Sequence, residues 1–177
     1  MRYRMALALG MLLACSAANA QLGGITKPVS LGIRAGGYMP KDRPVGMSKT
    51  WFAAGVDARV NISALPIIGG QTVSLDYLTR GSSSVSAITL VQRFSSPVAA
   101  PVQGGVRPYF GVGVGVYRVH VKTDTGSDTK TGPGAKALVG LEIGQGLYVQ
   151  GDYHLPAFGK VAGLRASGFA VTAGLRF

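Results

Sequence analysis

Asp152 and His154 are the pair in this chain whose types and spacing come nearest to catalysis. Two residues apart in an alternating stretch, they share a face, and a carboxylate that orients an imidazole is half of a nucleophilic triad. No serine flanks them; Ser82, Ser83, Ser84 or Ser127 could reach them only through the fold. An interior hydrogen-bonding pair is the reading these residues favour. Gly111-Val112-Gly113-Val114-Gly115 invites comparison with a nucleotide loop, yet it lacks the G-x-G-x-x-G spacing, and no helix follows it to receive a phosphate. His120, His154 and the single Cys15 give no metal-ligand spacing. No catalytic centre, cofactor or metal is expected.

A larger group of charges shares one property. Arg34, Asp57, Arg59, Asp76, Arg80, Arg93, Lys136, Glu142, Asp152 and Arg176 all fall on the polar parity of period-two segments, which makes them candidates for one interior ion-pair network. Four of the seven acids lie on that parity, and the other three (Asp42, Asp124, Asp128) fall in connecting loops. An isolated charge in a low-dielectric interior is costly, so each of the four should be paired and hydrogen-bonded.

Eight alternating segments must position these residues. They run from about Val29 to Met39, Trp51 to Val60, about Gln71 to Arg80, Val85 to Phe94, Pro108 to Val116, about Ala135 to Ile143, Leu147 to Leu155, and Gly168 to Phe177. Gly81–Ser84 is a short link, Gln145-Gly146 a tight turn, and Asp124 to Gly134 reads as a polar, glycine-containing loop. The fifth segment is the clearest, with Phe110, Val112, Val114 and Val116 alternating with Tyr109, Gly111, Gly113 and Gly115.

Alternation also occurs in soluble sandwiches and lipocalin-type barrels, with the apolar face inside. Two features point the other way. The polar parity is mostly Gly, Ser, Ala and Thr with one or two charges per segment, as suits a narrow interior. The apolar parity is nearly unbroken Val, Leu, Ile, Ala and Phe, as suits lipid contact, and tyrosines and Trp51 near segment ends would form aromatic girdles.

The N-terminus explains how such a chain reaches a membrane. Met1 to Arg4 is basic, Met5 to Cys15 is apolar apart from Gly10, and Ala18-Asn19-Ala20 is the small-x-small pattern of a cleavage site. Cleavage after Ala20 leaves 157 of the 177 residues, the single domain 21–177. Leu12-Leu13-Ala14-Cys15 is a competing lipoprotein box, but Leu13 fits it poorly; with the conventional cut the mature chain has no cysteine and no disulfide. No other stretch is long and apolar enough for a transmembrane helix. Losing Arg2 and Arg4 lowers the formal net charge from +11 to +9. Export and the dispersal of these charges argue against nucleic acid and for an anionic membrane surface.

The signal peptide, the Arg107-Pro108-Tyr109-Phe110-Gly111-Val112-Gly113-Val114-Gly115 segment and the closing Phe169-Ala170-Val171-Thr172-Ala173-Gly174-Leu175-Arg176-Phe177 carry a resemblance. The chain resembles the small outer-membrane β-barrel superfamily of OmpA/OmpX type, over essentially the whole mature length. That resemblance implies an all-β fold: one eight-stranded, antiparallel, transmembrane up-and-down barrel in the outer membrane of a Gram-negative bacterium. It implies that both termini are periplasmic, which makes Asn61–Gly70 and Ser95–Val106 periplasmic turns, longer than is usual in the family; no periplasmic peptidoglycan-binding domain is expected after Phe177. Phe169, Val171, Ala173, Leu175 and Phe177 would be the signal read by the outer-membrane assembly machinery.

An eight-stranded interior is filled by side chains, so no open pore is expected. The expected role is structural, surface-interacting or envelope-stabilising, in a monomer. A lipid-modifying barrel enzyme is the first alternative, and a soluble periplasmic binding protein the second. Lys41, Arg43, Lys49, Lys160 and Arg165 make the first and last outer loops basic and are candidate contacts to lipopolysaccharide phosphates.

Overall fold

The computed structural model describes residues 29–42, 49–60, 70–95, 105–123 and 126–177. The expected signal peptide and its cleavage site, Cys15 and Arg43 lie outside the described residues. The described chain forms eight strands, β1 (Val29–Asp42), β2 (Trp51–Val60), β3 (Gly70–Arg80), β4 (Ser83–Ser95), β5 (Val106–Thr123), β6 (Gly126–Ile143), β7 (Leu147–Pro156) and β8 (Arg165–Arg176). Each pairs antiparallel with its neighbours in sequence, and β8 pairs with β1, so the sheet closes into a barrel. Closure leaves no unpaired sheet edge across the barrel wall, which is what a lipid environment demands of backbone polar groups.

The alternating segments become the strands they suggested, with one substantial difference. β5 and β6 are each 18 residues long, and their pairing continues from Tyr117↔Gly132 out to Thr123↔Gly126. Most of the stretch expected to be a loop at 124–134 is therefore strand. On β5 the alternation persists past Val116, where Val119 and Val121 are fully buried. On β6 the segment Gly126–Thr131 is exposed and polar, so burial gives it no signature in sequence. It is strand because β5 supplies its hydrogen bonds.

Polarity is inverted relative to a soluble barrel. Ile88 and Val139 are each 60% exposed and Val114 67%, all on the outer surface, while Arg34, Asp57, Asp76, Lys136 and Asp152 are buried within. A water-soluble protein would hide the first set and hydrate the second. That distribution contradicts the soluble alternative.

The expected aromatic girdles are mostly absent among the described residues. Trp51, Tyr38, Tyr109, Tyr117 and Tyr148 are buried in the lumen, and only Tyr77 and Tyr153 take the outward parity. The reason is volume. A Cβ at Gly134 would lie 2.5 Å from Tyr117 Cδ2, and one at Gly174 would lie 2.6 Å from Tyr148 Cζ. Tyr109 lies in the same way over Gly140, its register partner. Glycines on one strand leave gaps in a narrow interior, and tyrosines from the next strand fill them.

Above this, at the end away from Phe177, Tyr38, Trp51, Leu78, Val85 and Val119 form an apolar layer. The β7–β8 connection folds in to join it through Val161 and Leu164, which exchange two 2.9 Å backbone hydrogen bonds. Ala162 (φ 44°) and Gly163 (φ 81°) form the tip, and positive φ at both central positions is the signature of a type I′ turn.

A matched pair of substitutions tests the glycine–tyrosine packing. Gly134→Ala, whose added Cβ would meet the Tyr117 ring before any other atom, should lower unfolding stability by about 1–3 kcal/mol through overpacking. Gly159→Ala, whose added Cβ meets nothing within 4 Å, should leave it unchanged. Urea titration of the protein folded into phospholipid vesicles, followed by tryptophan fluorescence, measures both; equal effects would refute the packing argument.

Candidate functional site

The middle of the lumen is organised around one guanidinium. Arg34 projects inward from β1 because it shares parity with Gly32 and Gly36, and its side chain lies beside Gly55 of β2. A Cβ at Gly55 would sit 2.8 Å from Arg34 Cζ, so a glycine there is what admits the group. Arg34 Nε donates to Asp57 Oδ2 at 3.2 Å, Nη1 donates to Asp152 Oδ2 at 3.0 Å, and Nη2 donates to Asp76 Oδ1. Three carboxylates from three strands thus occupy one planar fork. Lys136 Nζ, from β6, joins them at 3.0 Å from Asp76 Oδ2 and 3.3 Å from Asp152 Oδ1.

Two cations face three anions, and neutral donors stabilise the excess. Tyr148 Oη donates to Asp57 Oδ2 at 3.2 Å, and Ser74 Oγ donates to Asp57 Oδ1. Gln150 Nε2 donates to Asp152 Oδ1 at 2.8 Å, while Tyr109 Oη donates to Gln150 Oε1 at 2.9 Å. Ser74, Tyr109, Tyr148 and Gln150 stand on the same parity as the charges. Parity alone marks them as interior partners, although only charged residues were singled out from the sequence.

A second cluster lies toward the end that carries Phe177. Glu142 accepts from Arg176 Nη1 and from Arg93 Nη2 at 3.4 Å, and Arg59 Nη1 stands 3.8 Å away. Arg93 lies over the Tyr109 ring at 3.7 Å, and Arg176 over Tyr148 at 5.1 Å. Arg80 belongs to neither cluster, which corrects its place in the expected network. It ends β3 at the opposite rim, exposed, where its Nη1 donates to Thr50 O at 3.1 Å. Its parity is inward, but the strand has left the barrel interior by that point.

Asp152 and His154 do share a face, but they are not bonded to each other as a catalytic pair would be. Asp152 is taken up by Arg34, Lys136 and Gln150. His154 Nδ1 lies 3.3 Å from Tyr117 Oη, which also lies 2.9 Å from Ala135 O. Tyr38 and Tyr117 meet its ring edge-on, each at 6.0 Å. Ser83 Oγ instead accepts from Lys122 N at 3.1 Å, and Ser127 is exposed on the β5–β6 hairpin. The described side chains give the arrangement an electrostatic and packing role, without an activated nucleophile.

Among the candidate lipopolysaccharide contacts, Lys41 and Lys49 are exposed. Lys160 and Arg165 are not unopposed: Asp42 Oδ2 lies 3.4 Å from Lys160 Nζ and 3.6 Å from Arg165 Nε. Asp42, the last residue of β1, neutralises part of this charge because β1 and β8 are neighbours in the closed sheet. Among the described residues no group of His, Cys, Asp and Glu could hold a metal.

Removing the central guanidinium should be severe. Arg34→Met leaves three carboxylates facing Lys136 alone and should cost about 3–5 kcal/mol. Arg34→Lys should recover little, because a single ammonium cannot address three acids from one plane. Denaturant midpoints in vesicles provide the measurement; a loss under about 1 kcal/mol, the range of exposed pairs, would show that the cluster is dispensable.

Comparison with known proteins bears on this architecture. The structure is similar to Neisserial surface protein A (TM-score 0.58, 17% identity, covering 85% of this chain and 96% of that one). It is also similar to the N-terminal β-barrel domain of Pseudomonas aeruginosa OprF (TM-score 0.50, 15% identity, 84% and 97% covered). A third likeness is to Ail, the attachment invasion locus protein of Yersinia pestis, in complex with the heparin analogue sucrose octasulfate (TM-score 0.50, 15% identity, 84% and 97% covered). No curated protein matches the chain. The family model of the outer membrane protein beta-barrel domain matches residues 5–177. With its closed eight-stranded barrel, apolar exterior and charged interior, the chain belongs to the outer membrane protein beta-barrel domain family.

Proposed function

We propose that this protein is a non-enzymatic, closed outer-membrane barrel whose role is structural and surface-interacting, with its basic outer rim held against lipopolysaccharide phosphates. The observation that carries this reading is the contrast between a mid-lumen filled by paired charges beneath an apolar layer and an outer rim with unpaired cations. Lys41, Lys49, Arg118 and Lys122 are exposed at that rim and pair with no acid among the described residues. Arg118 and Lys122 continue the outward parity of Val112, Val114 and Val116, directly beyond the apolar band. Lys160 and Arg165 together keep one positive charge in excess of Asp42.

The remaining expectations belong to the same proposal. The chain is exported by a signal peptide cleaved after Ala20, acts as a monomer, and is delivered to the assembly machinery through its last strand. Support for the last point is that Phe169, Val171 and Leu175 are exposed on the outward face of β8, with Ala173 between them, and that Phe177, just after the strand, is exposed too. A lipid-modifying activity is the competing reading, and the burial of His154 beneath the apolar layer speaks against it.

Separation of outer from inner membranes should place the protein in the outer fraction, with heat-modifiable gel migration. Lipopolysaccharide binding to the refolded protein should weaken with salt. The double substitution Lys41→Gln with Lys49→Gln should reduce it by about 1 kcal/mol per lysine. Binding that ignores salt, or none, would sink the surface role. A lipid A mass profile that changes with the wild-type protein but not with His154→Ala would restore the enzymatic alternative.

A further inference from the structure

The lumen end that carries Phe177 and the start of β1 has more positive charge than the chain can balance. Arg59, Arg93 and Arg176 converge on one carboxylate, Glu142. Arg107, the register partner of Glu142 on β5, stands exposed at the same rim. Of the other acids in the sequence, Asp57, Asp76 and Asp152 are committed to Arg34 and Lys136, Asp42 and Asp128 lie at the opposite end, and Asp124 falls in sequence between β5 and β6. Residues 61–69, between β2 and β3 in sequence, and 96–104, between β4 and β5, contain no Asp or Glu, and neither do residues 1–28. The terminal carboxylate of Phe177 adds one negative charge at this end but forms no ion pair with these arginines among the described residues. Its oxygen accepts from Leu31 N at 3.3 Å and Ser30 Oγ at 3.2 Å. Four arginines against two carboxylates leave an excess of two positive charges.

A second observation points the same way. Arg59 Nε and Arg176 Nη2 are buried donors with no hydrogen-bond partner among the described residues. A buried charged donor left unmatched is costly, and native structures seldom leave one so. The tyrosine rings under Arg93 and Arg176 hold those guanidinium planes in place. Side-chain exposures of 26% for Arg59, 21% for Glu142 and 13% for Arg176 show that solvent reaches the cluster from this end.

We infer that this vestibule is a binding site for a compact oxyanion of the phosphate type, held by Arg59, Arg107 and Arg176, with Glu142 as its internal competitor. Guanidinium forks match the oxygen geometry of such an anion, and a dianion suits an excess of two positive charges. The barrel wall separates the site from the lipid, so the ligand is a soluble phosphate and not a headgroup within the bilayer. The site lies at the opposite end from Lys41 and Lys49, so it stands or falls independently of lipopolysaccharide binding.

The test is titration of the full chain, folded in zwitterionic micelles, with inorganic phosphate at constant ionic strength, read by calorimetry and phosphorus NMR line width. Saturable binding is expected, about tenfold weaker in Arg59→Gln and in Arg107→Gln from the loss of a charge-assisted hydrogen bond. Glu142→Gln should tighten binding by removing the competing carboxylate. Arg107 is an exposed rim residue, so its variant keeps the question open to measurement if Arg59→Gln fails to fold. Acetate should bind more weakly than phosphate, and anionic lipid vesicles should not compete. Absence of saturation, full affinity in both arginine variants, no tightening in Glu142→Gln, acetate preferred to phosphate, or competition by the vesicles would overturn the assignment.

Discussion

Arg34 is held by carboxylates from β2, β3 and β7, and Lys136 on β6 binds two of the same acids. These five side chains tie together strands on opposite sides of the barrel, with hardly any solvent reaching them. Each ion alone would cost several kcal/mol to remove from water, so none of them is tolerable without the others. That mutual dependence explains the rest of the interior. Gly55 is small because Arg34 needs the space; Ser74, Tyr148 and Gln150 are polar because three anions outnumber two cations.

The lumen is consequently layered by chemistry. An apolar cap containing Trp51, Tyr38 and Leu164 lies at one end, the acid-rich cluster in the middle, and the arginine-rich cluster about Glu142 at the other. His154 sits where the first two layers meet, between the rings of Tyr38 and Tyr117. The layers fill a narrow tube, so the wall strands can be glycine-rich without collapsing: tyrosines supply the volume that the glycines omit. The outer surface has the simpler task of meeting lipid with Val, Leu, Ile and Phe.

Much of this is legible from residue order. The interior parity, the lipid-facing parity and most strand limits followed from alternation. The outer half of the β5–β6 hairpin did not, because Gly126–Thr131 is polar on both faces and is strand only through its partner. Residue type and position near segment ends suggest girdles of Trp51 and tyrosines, yet the parity of Trp51, Tyr38, Tyr109, Tyr117 and Tyr148 already places them inside. Arg80 shows the converse: its parity is inward, but its height along the barrel puts it at the rim, bonded to Thr50.

What the sequence determined by itself was therefore the local pattern: which stretches are strands, which side of each meets lipid, and that the charges go inward. Period-two alternation is a property of the extended backbone and needs no partner to be read. Which carboxylate meets which base was decided only by closure and register of the sheet. Arg34 and Asp152 are 118 residues apart, and Asp42 finds Lys160 and Arg165 because β8 returns beside β1. No local pattern encodes those meetings, since they depend on how far each strand is staggered against the next.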